Sequence, residues 1–173
     1  MKRLYAFLFL CLLTCGLRAE GGLAPGKTRV VVDTNLAYLA LGALSSGADN
    51  LFLVLPLELR LPMDERLVLV PSLTFLYFGK GSGLSGGAMF LGECGISWNP
   101  GASGPRGWSI EVSPGLAYAF DSRLAGLLLS GGGGYHWLLE KGLFLGLFAG
   151  ARYVYMEGSL FLPDLKLRLG FAL

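Results

Sequence analysis

His136 is the only histidine among 173 residues, and imidazole is the one side chain that titrates near neutrality without help from its surroundings. Beside a serine and a carboxylate it would serve as the general base of a nucleophilic hydrolase. The nearest hydroxyl on its own face of an extended chain is Ser130, six residues away, which is beyond hydrogen-bond reach. Trp137 and Leu138 follow it, and Glu140 and Glu111 read as its polar partners rather than as triad members. No catalytic residue is expected. Cys11, Cys15 and Cys94 form neither a disulfide framework nor a metal-ligand spacing. Cys94 reads as a small apolar filler on a strand, so no metal and no cofactor is expected.

The remaining chemistry is charge. Asp33, Glu58, Arg60, Lys80, Glu93, Glu111, His136, Glu140, Arg152, Asp164, Lys166 and Arg168 all fall on one face of alternating segments, because a period of two sends successive side chains to opposite sides of a sheet. Those segments are read as eight strands. The first runs from about Thr28 to Leu41, with Val30, Val32, Leu36, Tyr38 and Ala40 on one face and Asp33, Asn35 and Ala37 on the other. The second turns Leu51, Leu53, Leu55, Leu57, Leu59 and Leu61 one way and Glu58 and Arg60 the other. Five more strands with turn residues between them precede a last ladder of Leu165, Leu167, Leu169, Phe171 and Leu173 opposite Asp164, Lys166 and Arg168. Throughout, the outward set has no Asp, Glu, Lys, Arg or His.

A sheet with one charge-free face needs an apolar solvent there, which points to lipid around a closed barrel with a polar interior. Composition agrees: 53% of residues are hydrophobic and 15% charged, with 27 glycines. A helical membrane protein would show uninterrupted apolar runs of about 20 residues, and past the N-terminus every such window is broken. A soluble lipocalin-like barrel needs the reverse arrangement, polar outside and apolar inside. A net charge of +2 without a basic block leaves no footprint for nucleic acid. Aromatic residues add two girdles, with Tyr38, Tyr77, Tyr118, Phe120, Tyr153 and Tyr155 at one end of the strands and Trp98, Trp108, Tyr135, Trp137 and Phe171 at the other.

The chain opens with Met1-Lys2-Arg3, an apolar run from Leu4 to Leu13, and Leu17-Arg18-Ala19 before Glu20. This is the pattern of an export signal over residues 1–19. Leu12-Leu13-Thr14-Cys15 departs from a lipoprotein box at Thr14. Residues 20–27 are a short Gly-rich lead-in, and residues 28–173 form one barrel domain.

The alternating ladders, the girdles and the final Leu165-x-Leu167-x-Leu169-x-Phe171-x-Leu173 resemble the small eight-stranded outer-membrane barrels of the OmpA transmembrane domain, OmpX and OmpW type. The chain ends in Leu where Phe is commoner, and its outer loops (Ser45 to Asp49, Gly81 to Gly87, Asp121 to Ala125, Glu157 to Ser159) are short for that group. The resemblance implies an all-β, up-and-down, monomeric barrel in the outer membrane of a bacterium, delivered by periplasmic chaperones and the barrel-assembly machinery. It also implies three functions to weigh: a structural or surface-maintenance role, passage or binding of small apolar molecules, and lipid A modification.

An eight-stranded barrel is just wide enough for its side chains to fill. Glu58, Arg60, Glu93, Glu111, His136, Glu140, Lys166 and Arg168 gather in the periplasmic half, and the inward charges are expected to pair, with Arg152 opposite Asp164. The outer half carries Phe52, Val54, Leu76, Phe78, Met89, Leu91, Leu128, Val154, Met156, Leu160 and Leu162, either a packed end or a cup for a small apolar ligand. The glycine run Gly131 to Gly134 is expected to make room for Phe148.

Overall fold

The computed structural model describes residues 29–45, 52–79, 87–101 and 106–173. The export signal, the lead-in, Cys15, Lys80 and most of the Gly81 to Gly87 loop lie outside those residues. Eight antiparallel strands, β1 (Val31–Asn35), β2 (Phe52–Pro62), β3 (Leu67–Phe78), β4 (Gly87–Trp98), β5 (Gly107–Ala119), β6 (Leu124–Leu138), β7 (Leu143–Tyr155) and β8 (Ser159–Ala172), close into an up-and-down barrel. Between β1 and β2 stands one helix, α1 (Leu36–Ser45).

Side-chain direction follows the alternation. Every charged residue within a strand is buried, from Asp33 on β1 to Arg168 on β8. The outward positions are apolar and bare: Leu73, Ile96, Ile110, Val112, Leu116, Leu127, Leu129, Leu147 and Leu165 are each at least half exposed. That inverts a water-soluble barrel.

The register sets the tilt. Following cross-strand pairs from Asp33 leads through Glu58, Ser72, Glu93, Gly115, Leu128 and Val154 to Leu160. The β1–β8 register, which pairs Val31 with Ala172 and Asn35 with Arg168, places position 43 opposite Leu160, ten residues beyond the start. A closed sheet with such a stagger must run its strands steeply, at roughly 35–45° to the barrel axis.

The two ends are built differently. At the near end, where both the first strand begins and the last one finishes, Val31, Phe144 and Ala172 form an apolar floor with Leu138 against it, and the Leu173 amide donates to the Val30 carbonyl at 2.7 Å. Asp64 ties the β2–β3 turn by accepting the Arg66 and Leu67 amides at 2.6 and 2.7 Å. At the far end two described turns are tight, Phe120 to Arg123 and Met156 to Gly158.

One expected strand is overturned in its second half. The extended segment from about Thr28 to Leu41 stops at Asn35 and becomes α1. Asn35 explains the switch: its Oδ1 accepts the Ala37 amide at 3.1 Å, the geometry of a helix N-cap. The following Leu-Ala-Tyr-Leu-Ala-Leu is rich in the two best apolar helix formers. Alternation over so few uncharged residues does not separate helix from strand. Tyr38 therefore leaves the expected girdle and turns into the lumen, where its hydroxyl donates to Asp164 at 2.7 Å. The remaining ring positions are as expected, with Tyr135 in contact with both Trp108 and Trp137 at one end and Tyr118 against Phe120 at the other.

Candidate functional site

The lumen holds a continuous charged plug, and neighbouring strands set its geometry. Arg60 on β2 reaches Asp33 at 3.1 Å through Nε and Glu111 at 3.1 Å through Nη2. Arg168 on β8 reaches Glu58 at 3.0 Å through Nε and Glu111 at 2.9 Å through Nη2. Glu111 is thus clamped between two guanidiniums, each fully buried. Lys166 closes the ring on Glu58 at 2.9 Å. Aromatic faces line the same cations: Phe144 lies beneath Arg60, and Phe148 beneath Lys166 and Arg168.

A second group lies farther along the lumen. Arg152 Nη2 pairs with Glu93 at 2.8 Å and with Asp164 at 3.5 Å. Ser130 donates to the other oxygen of Glu93 at 2.8 Å. Tyr38 completes the group on Asp164, and Lys166 at 3.8 Å from Asp164 links it to the first ring. Among the described lumen residues five acids face four Lys or Arg side chains, and the Tyr38 and Ser130 hydroxyls add hydrogen bonds to Asp164 and Glu93.

The register corrects one expected pairing. Arg152 stands opposite Leu162, and Asp164 opposite Gly150. The ion pair forms all the same, diagonally, because a long guanidinium spans the offset between neighbouring positions. Two further expectations fail. Glu140 is exposed in a 3-10 turn (Glu140–Gly142) outside the lumen, since the strand ends at Leu138 and the chain turns away. His136 bonds neither glutamate but Arg168, through Nε2 at 3.0 Å, and Ser109, through Nδ1 at 3.4 Å.

Ser109 is the hydroxyl that a one-strand reading cannot find. It lies across the β5–β6 ladder, where it pairs with Gly134 beside the Gly107–His136 pair. The wiring opposes hydrolytic chemistry. A guanidinium only donates, so Nε2 must accept, which leaves the imidazole proton on Nδ1, pointing at Ser109. The serine oxygen then accepts where a nucleophile would have to give up its proton. His136 also stacks on Phe144, with centroids 5.2 Å apart.

The apolar far half is largely filled. Leu91, Ala117 and Leu128 form a buried cluster with Leu76, Met89, Val154 and Met156 packed on it. Val54 is buried, and Phe52 lies against Phe78 with ring centroids 4.8 Å apart. Leu160 and Leu162 differ: they face inward yet are 54% and 38% exposed, because β7 pairs with them on one side and, among the described residues, no strand pairs with them on the other.

The glycine run behaves as two alternating sets. Gly132 and Gly134 point inward, and a side chain on Gly132 would strike the Phe148 ring at 2.8 Å as well as the β7 backbone. The Phe148 ring therefore occupies the space that Gly132 leaves, whereas at Gly134, the residue opposite Phe148, a side chain would strike the β7 backbone instead. Gly131 and Gly133 point outward and would meet nothing closer than 3.4 Å.

No known protein family, curated protein or solved structure matches this chain. What the fold and its interior define is a class by architecture: a closed, eight-stranded antiparallel barrel, apolar outside and ion-paired within.

Proposed function

We propose that this chain is an integral barrel of a bacterial outer membrane, of the OmpA, OmpX and OmpW type, whose role is structural or surface-maintaining, with no chemistry of its own. The carrying observation is the plug: Arg60, Glu111 and Arg168 meet across the lumen with essentially no exposure. Such a lumen offers ions no water-filled path, while the outer face suits hydrocarbon. Biogenesis then uses chaperones and the barrel-assembly machinery, and the working form is a monomer. The His136–Ser109 wiring supports the absence of hydrolase activity.

Planar-bilayer recording of the purified protein tests this reading. Wild type is expected to be silent, and Glu111→Ala, which empties the centre of the ring, is expected to open steps of small conductance. Steady conductance by wild type would overturn the filled-lumen role. An altered lipid A mass profile on overexpression would overturn the non-enzymatic reading.

A second reading keeps one observation, the bare inward face at Leu160 and Leu162. It is binding or passage of a small apolar molecule at the far mouth. Saturable quenching of a tryptophan placed at Leu162 by a brominated alkane supports it, and quenching no different from that of an outward tryptophan at Leu165 removes it.

A further inference from the structure

β1 is five residues long, whereas β8 beside it has fourteen. Their ladder runs only from Val31–Ala172 to Asn35–Arg168. Beyond that point the side chain of Asn35 stands in for backbone: the Leu167 amide donates to its Oδ1 at 3.1 Å, and its Nδ2 donates to the Leu165 carbonyl at 3.5 Å. From Ser159 to Pro163 no ladder partner lies on that side of β8 among the described residues. In an antiparallel ladder alternate residues aim both backbone groups the same way. Phe161 and Ser159 therefore share the open edge with Leu165 and Leu167, as does Pro163, which has no amide to satisfy.

α1 covers the other side of the breach. It lies on β2, so close at Gly42 that a Cβ there would stand 3.2 Å from the Val54 nitrogen. It touches β8 through Tyr38 on Asp164, with Arg152 6.0 Å from the ring centroid. Leu160, Phe161 and Leu162 stay exposed on both faces of the strand.

The helix has the length and composition of the missing wall. Continuing the existing β1–β8 register sets Leu36 opposite Leu167, Tyr38 opposite Leu165, Leu41 opposite Leu162 and Leu44 opposite Ser159, the first residue of β8. The β1–β2 register carries Leu36 and Ala37 to Leu55 and Val54 in the same way. Extended, the segment would turn Ala37, Leu39, Leu41 and Ala43 inward and the residues between them outward. No charge appears in either set, so this segment suits a strand in the wall as well as a helix in it.

We propose that Leu36–Ser45 is a helix-to-strand switch in the barrel wall. As a helix, capped by Asn35 and latched by Tyr38, it leaves the wall breached beside the far third of β8. As a strand it zips onto β8, extends the short β1–β8 seam along the rest of β8 and carries Tyr38 from the lumen to the outer face. The driving force rests on the membrane reading, because an unpaired strand edge is costly where water cannot reach it. Asp164 then loses its hydroxyl donor, so the wall and the lumen network change state together.

Solid-state carbon shifts of Ala40 and Ala43 in the full chain, reconstituted into phosphatidylethanolamine–phosphatidylglycerol vesicles, read the two states directly. Wild type is expected to give predominantly helical shifts. Asn35→Val removes the cap and should raise the strand-to-helix ratio about fivefold. Tyr38→Phe, a conservative change, should shift it the same way. In both variants the strand population should show a Leu41–Leu162 cross-strand contact. Helical shifts kept in both variants, or coil shifts without that contact, overturn the switch. Vesicle flotation separates the two claims: protein that fails to float strikes the membrane reading, and the same shifts measured in detergent then decide the switch alone.

Discussion

Arg168 is one of the three cations that tie the lumen together, and its guanidinium serves Glu58, Glu111 and His136 at once. Removing it leaves Glu111 to Arg60 and Glu58 to Lys166, and taking one partner out of a buried ion pair typically costs about 3–5 kcal/mol. Arg168→Ala should therefore lower the urea midpoint of the reconstituted barrel more than Ser130→Ala, which deletes one hydrogen bond to the Glu93 carboxylate worth about 1.5–3 kcal/mol. Equal midpoints would show that the plug is not the stabilising element. Two neighbouring glycines give an internal control. Gly132→Ala collides with Phe148 and the β7 backbone and should cost about 1–3 kcal/mol as overpacking does. Gly133→Ala, outward and unobstructed, should stay within about 0.5 kcal/mol of wild type.

At the scale of elements, the β2–β3 turn and α1 make contrasting cases. Asp64 accepts two turn amides, and those bonds, to Arg66 first and then Leu67, hold its carboxyl below the usual carboxylate range. A depressed folded value means that the turn gains from the ionised form at neutral pH and loses that gain as pH falls through the folded value. Carbon-detected titration should show Asp64 protonating at lower pH than an aspartate in an unstructured peptide, and a midpoint at or above the peptide value would contradict the turn geometry. For α1, alternation and helix propensity compete over one uncharged stretch. Its state is decided by the Asn35 cap and by Tyr38 finding Asp164, a residue on the far side of the sequence. The diagonal Arg152–Asp164 pair is similar in kind: both charges read as inward, but which strand position each faced depended on a register offset by two residues.

For the whole molecule, the membrane reading predicts asymmetric tolerance. An arginine at Leu129, outward and half exposed in mid-strand, should cost about 2–4 kcal/mol in vesicles, whereas arginine at the exposed turn residue Glu157 should be near neutral. If Leu129→Arg is as stable in vesicles as wild type, hydrocarbon is not the solvent of that face. The folded barrel should also migrate differently on a gel before and after boiling, and identical mobility would contradict a detergent-resistant barrel.

Alternation along the chain was enough to determine strand number, the closed all-β class and the inward charges within the described strands, though not the exposed Glu140, because each of those follows from a period of two and the penalty for placing charge on the wrong face. From sequence it was also visible that the glycine run makes room for Phe148, though the ring lies against Gly132 and not against Gly134 opposite it. Other features were settled only in three dimensions. The Ser109–His136 contact spans two strands, the stagger of ten emerges from closing all eight, and Glu140 leaves the lumen because its strand ends two residues earlier. Above all, whether Leu36–Ser45 paired or coiled depended on partners more than a hundred residues away, Asp164 and the open edge of β8. Local pattern carries no information about such partners, and only the closed barrel brings them together.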